Sequence, residues 1–122
     1  MKAILKSVDL NGPVGFDDFW PDDGKNFGVW LTLTVGPDDQ DGGHLFQVLV
    51  CTPDWLKKEC SAHQALWGRH MLIISEYDSD LIVQEIINYI DSISETDFWE
   101  AAQKISRIGA WEFEDYQLIN NE

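Results

Sequence analysis

Residues 27–35 alternate strictly, with Phe27, Val29, Leu31, Leu33 and Val35 on one side and Gly28, Trp30, Thr32 and Thr34 on the other. A period of two fits only an extended chain with one face buried. The polar, glycine-bounded run Gly36-Pro37-Asp38-Asp39-Gln40-Asp41-Gly42-Gly43 follows, and after it residues 44–51 are again β-branched and aromatic. Two such runs around a turn read as a hairpin. The chain must therefore build an antiparallel sheet with an apolar face that other elements cover.

The remaining elements follow from local signals. Residues 3–10 partly alternate and read as another strand. The connection that follows is rich in turn formers yet carries Phe16, Phe19 and Trp20, rings suited to pinning the loop to the body. Thr52-Pro53-Asp54 has the order of a helix start: a hydroxyl cap, proline at the first helical position, an acid in the first turn. Residues 70–75 suit a buried strand. Ser79-Asp80 can cap a helix with Ile82, Ile86, Tyr89, Ile90 and Ile93 at helical spacing. Thr96-Asp97 opens another, with Phe98, Ala101, Ala102, Ile105 and Ile108 inward and Gly109 as terminator. Residues 110–116 alternate as a last extended piece. Strands first and helices second predict an α+β fold, a single domain over residues 1–122, with an antiparallel or mixed sheet and two to three helices packed on one face.

Charge narrows the partners. Asp and Glu number 22 against 8 Lys and Arg, so the formal net charge is −14. Such a surface repels nucleic-acid phosphates and anionic lipid and attracts basic partners. Neither direct nucleic-acid binding nor membrane association is expected. The apolar runs are too short to cross a bilayer and no secretory leader is recognisable, which predicts a cytoplasmic protein. Acidity alone is equally a solubility device, so its placement has to decide.

Catalytic and metal chemistry find little support. Cys51 and Cys60 match neither a redox pair nor zinc knuckles, and His44, His63 and His70 add no regular ligand spacing, so no metal and no cofactor are expected. Fitting Asp41-Gly42 to a calcium loop puts Pro37 and Val48 at ligand positions, which excludes it. Glycine patterns for phosphate or dinucleotide binding are absent. Ser61-Ala62-His63 lacks any nucleophile elbow. Glu112 and Glu114 share one side of an extended segment and could form an acid and base pair, but two like charges on a strand more often face solvent.

The distinctive pattern is acid beside aromatic: Phe16-Asp17-Asp18-Phe19-Trp20-Pro21-Asp22-Asp23, then Glu76-Tyr77-Asp78, then Trp111-Glu112-Phe113-Glu114-Asp115-Tyr116. Buried rings would hold these carboxylates rigidly, which lowers the ordering cost of meeting a basic partner. Together with the turn carboxylates Asp38, Asp39 and Asp41, the candidate partner-binding set is Asp17, Asp18, Asp22, Asp23, Asp38, Asp39, Asp41, Glu76, Asp78, Glu112, Glu114 and Asp115. The plain alternative, core rings with solvated neighbours, accounts for any single segment equally well.

Across these segments the sequence resembles the Immunity protein 8 family of bacterial polymorphic toxin systems. The similar stretches are Phe19-Trp20-Pro21-Asp22-Asp23 running into Asn26-Phe27-Gly28, then Val50-Cys51-Thr52-Pro53-Asp54-Trp55-Leu56, Gly68-Arg69-His70, Glu76-Tyr77-Asp78, and Ser106-Arg107-Ile108-Gly109-Ala110-Trp111-Glu112-Phe113-Glu114-Asp115-Tyr116. The resemblance implies a small cytosolic antitoxin made beside a secreted or contact-delivered toxin, a protein that binds the toxin domain and catalyses nothing. It offers no catalytic residues, and it leaves specificity to residues 12–15 and 36–44. The resemblance does not identify the toxin; the net charge is what leads to the expectation of a basic toxin, a nuclease, whose active site is covered by carboxylates, with a non-nuclease toxin blocked at a remote surface as the alternative. The competing expectations are a small enzyme or ligand-binding domain using Glu112 and Glu114 in a cleft, and an acidic adaptor for a basic cellular protein.

Overall fold

In a computed structural model of the chain, residues 1–112 are described, and the expectations placed on Phe113, Glu114, Asp115 and Tyr116 lie outside them. Strand β1 (Ala3–Leu10) pairs antiparallel with β2 (Gly28–Pro37), and β2 pairs antiparallel with β3 (His44–Cys51). This hairpin closes through the polar turn at the expected place. Helix α1 (Pro53–His63) then carries the chain across to β4 (Met71–Ile73), which pairs parallel with β3. Parallel neighbours need such a crossover, so the sheet is mixed. Helices α2 (Ser79–Asp91) and α3 (Phe98–Ile105) follow, and β5 (Ala110–Trp111) pairs antiparallel with β3 beside the half that β4 leaves open.

The register sorts the side chains. Leu31, Leu33 and Val35 of β2 lie opposite Val48, Phe46 and His44 of β3, so one face of the sheet is continuous hydrocarbon ending in a histidine. Across this face α2 lays Ile82, Ile86 and Ile90, and α3 lays Ala101, Ala102 and Ile105, all buried in one cluster with the strands. Each isoleucine taken out of water contributes about 2 kcal/mol, so this stripe is what holds the helices down. The Tyr89 hydroxyl donates to the carbonyl oxygen of Lys104 at 2.9 Å, and Lys104 pairs with Glu95, which ties α2 to α3.

The third helix packs on the opposite face. A side-chain carbon on Gly28 would stand 2.3 Å from the Trp55 ring, so α1 seats its tryptophan flat on the bare backbone of β2. Filling that space overpacks the site, and Gly28→Ala will cost about 1–2 kcal/mol as Trp55 is pushed outward. A thermal melt reads the loss, and a red shift in tryptophan emission reads the exposed indole. Thr52 occupies the cap position of α1, yet its hydroxyl serves the sheet: Oγ1 accepts from the Phe27 amide at 3.1 Å, joining the helix start to the loop before β2. The capping signal was right in place and different in partner. Asp78 is the residue whose carboxylate caps α2, one position before the expected pair, accepting from the Leu81 amide at 3.1 Å. Gly109 serves close approach: an added carbon would meet Phe46 Cβ at 3.0 Å, so a side chain here would crowd β3 and press Phe46 aside.

Candidate functional site

The candidate carboxylates within the described residues are all exposed, and the fold gathers them at the two ends of β2. Ten residues of strand separate those ends by about 33 Å.

One end is built around Tyr77. Phe16, on a single 3₁₀ turn (Phe16–Asp18), is buried, while Phe19, Trp20 and Phe27 meet the Tyr77 ring edge-on with centroids 5.6, 5.1 and 5.4 Å away. The Tyr77 amide donates to the carbonyl oxygen of Gly24 at 2.7 Å. Segments more than fifty residues apart are thereby locked together, and Asp17, Asp18, Asp22 and Asp23 come to the same end as Glu76 and Asp78. Two of the six have local work: Asp23 accepts from the Lys25 amide at 2.9 Å, and Asp78 caps α2. Burial pushes the Tyr77 phenol above its ordinary pKa, so it stays neutral. Trp20 remains 72% exposed, so of the three loop rings it pins least.

The other end is the hairpin turn. Asp38 is held twice by Lys2, the residue before β1: its amide donates to the carbonyl oxygen of Lys2 at 2.8 Å, and its Oδ1 accepts from the Lys2 amide at 3.0 Å. The Lys6 ammonium donates to the carbonyl oxygen of Gln40. Asp39 and Asp41 therefore project from a braced loop. Glu112 joins them from β5, because its amide donates to Leu45 O at 3.0 Å and its Oε1 accepts from Leu45 N at 2.9 Å, which carries the ladder one residue past the strand. This use suits a bracing carboxylate better than an acid or base.

Behind the turn stands an aromatic wall. Trp111 is buried, its Nε1 donates to His44 Nδ1 at 3.1 Å, and it stacks on Phe46 with the rings 13° from parallel. His44 meets Phe98 and Trp99 edge-on at 4.9 and 5.4 Å, and Trp99 lies 5.1 Å from Trp111. Sequence reasoning missed the outcome of this packing: Asp97 and Trp99 stand beside the acidic turn. Thr96-Asp97-Phe98-Trp99 repeats the acid-beside-aromatic pattern, and its helix-start signal masks that repetition in the sequence.

The residues weighed and set aside for nucleophilic or metal chemistry have local partners. Ser61 Oγ donates to the carbonyl oxygen of Lys57 at 2.9 Å, and His63 sits 3.5 Å from Glu59 on the exposed side of α1. Cys51 is buried, which raises its thiol pKa and keeps it unreactive, while Cys60 is exposed. Among the described residues no three His, Cys, Asp or Glu side chains come together as a metal site, and no helix is long and apolar enough to cross a membrane.

No curated protein and no solved structure matches the chain. A family model described as Immunity protein 8 matches residues 3–116, nearly the whole length, and the chain belongs to that family.

Proposed function

We propose that this immunity protein binds a basic toxin domain, a nuclease, and blocks it by laying carboxylates over the cleft that receives substrate phosphates. The turn end of the sheet leads the contact. The observation that carries this reading is the bracing of that turn: Asp38 is fixed to Lys2, the residue before β1, by one backbone and one side-chain hydrogen bond, so its neighbours Asp39 and Asp41 lose little freedom on binding. A standard interface covers about 800 Å² on each partner and is roughly 30 Å across, so centred on one acidic end it stops short of the other. On this reading Asp38, Asp39, Asp41 and Glu112 form the primary contact. Asp17, Asp18, Asp22, Asp23, Glu76 and Asp78 form a second edge that steers approach, and Glu114 and Asp115 continue the sequence of the primary contact beyond Glu112.

Competition tests the mode of inhibition. A short fluorescent duplex bound to a catalytically inactive variant of the toxin domain encoded immediately upstream should be displaced stoichiometrically by the chain. A ternary complex of toxin, duplex and chain would place inhibition away from the cleft. Electrostatics gives a further expectation. Raising salt from about 0.05 M to 0.5 M, which shortens the screening length from roughly 14 Å to 4 Å, should slow association at least tenfold and change dissociation much less. Stopped-flow rates flat across the series would reduce the acidic surface to a solubility device.

A further inference from the structure

Strand β1 stops at Leu10, opposite Leu31, whereas β2 begins at Gly28. Residues 28–30 therefore have β3 on one side and, among the described residues, no strand on the other. The chain leaves β1 there through Asn11, whose Oδ1 accepts from the Thr32 hydroxyl at 3.1 Å, and returns at Phe19, held edge-on against Tyr77. Between the two lies a notch of about 570 Å³ whose lining includes Leu10, Pro13, Val14, Phe19, Val29 and Trp30. Every side chain that lines it is uncharged, which suits it to apolar contact and not to acid, base or metal chemistry. Two of its walls are open to solvent: Trp30, on the sheet face away from α2 and α3, and Val14 are each 45% exposed. A side-chain carbon on Gly12 or Gly15 would meet nothing within 4 Å, so the loop around Val14 stands clear of the body.

We propose that this notch seats an extended segment of the toxin partner, in line with the end of β1, with an apolar side chain against Trp30 and Val14 and basic residues to either side of it. An open stretch of strand edge offers backbone groups that another extended chain can satisfy, and a half-open tryptophan over an apolar hollow is the commonest anchor of protein interfaces. Charge sets the partner. Asp9, beside Leu10, and Asp18, beside Phe19, are exposed, so carboxylates flank the apolar lining, and a net charge of −14 repels a second copy of the chain. The proposal rests on the immunity reading and gives the second acidic edge, which otherwise only steers, a contact of its own. An interface holding both this notch and the turn exceeds the standard size and belongs with the larger ones, above about 2,000 Å² in total.

The test uses the full chain and a catalytically inactive variant of the toxin domain encoded immediately upstream, with growth rescue on co-expression scoring the immunity reading separately. Trp30→Ala and Val14→Glu, on two walls of the notch, should each weaken binding about tenfold or more in titration calorimetry, while Trp30→Phe, which keeps an apolar ring, should stay within about threefold of the parent. Val14 lies in a loop outside every helix and strand, so its variant tests the notch even where Trp30→Ala disturbs the sheet, and thermal melts check folding. Asp9→Asn with Asp18→Asn should slow association about threefold at low salt. Unchanged affinity for both Trp30→Ala and Val14→Glu, in a chain whose parent rescues growth, overturns the notch and leaves the immunity function standing. So does a loss confined to Trp30→Ala, which would place the contact on the open sheet face, and association untouched by the paired asparagines overturns the basic segment. A parent chain that neither binds the toxin domain nor rescues growth overturns the immunity reading, and this proposal with it.

Discussion

Replacing Trp111 with alanine will lower the stability of the chain by about 3–5 kcal/mol, the largest loss expected from any single change at the turn end. The ring is 9% exposed, it stacks on Phe46 and His44, and Trp99 leans on it. Removing it empties a space that Phe46, fixed in the middle of β3, cannot fill. It also leaves His44 Nδ1 without its donor in a half-buried position. Trp111→Phe separates the two terms, since it keeps most of the ring volume while losing the hydrogen bond, at about 1 kcal/mol, and a modest part of the packing. Urea melts of both variants measure the difference. A loss under about 1 kcal/mol for Trp111→Ala would mean that the aromatic wall does not support the turn.

The second large effect concerns binding and not folding. Changing Asp38, Asp39 and Asp41 together to asparagine removes three charges, while the carboxamide replacing the Asp38 carboxylate still offers an oxygen to the Lys2 amide. Stability should move by less than about 0.5 kcal/mol, because exposed like charges contribute little and repel one another. Affinity for the toxin domain should fall by about 1–3 kcal/mol, mainly through faster dissociation, if a desolvated cation faces this turn. Titration calorimetry on parent and variant decides. Equal affinities would remove the turn from the interface and move the contact to Asp17, Asp18, Asp22 and Asp23, where the same substitution repeats the test.

The elements were legible in the sequence wherever a period and a punctuation mark coincided. The alternation of residues 27–35 and the glycine-bounded turn gave β2, β3 and the inward face of β2, because a strand with one buried face has only one way to orient its side chains. The isoleucines of α2 gave its inward stripe for the same reason. What no local pattern carried was contact between distant segments. Nothing near Tyr77 announces that Phe19, Trp20 and Phe27 will surround it, and nothing near Trp111 announces His44. Three residues could be read correctly by type and still act through other partners. Thr52 stands at the cap but bonds Phe27, Gly109 is expected to end α3 but lies three residues past its cap at Ser106 and eases the approach to Phe46, and Glu112 faces solvent but holds Leu45. In each case the polar or small residue answered a demand made by the sheet, which forms from residues far away in sequence. The acidic set was legible as a list of residues. Its division into two ends about 33 Å apart was not, since that follows only from the length and direction of β2.

A cognate toxin domain, sought first in the gene immediately upstream, should be inhibited by the chain. The direct measurement is the activity of that purified toxin domain on its substrate, titrated with the purified chain at micromolar concentration and below. Activity falling linearly to zero at a fixed molar ratio, with growth restored when both are expressed in the same cell, is the predicted result. Full toxin activity at a tenfold excess of chain, with no complex on size-exclusion chromatography, would contradict it.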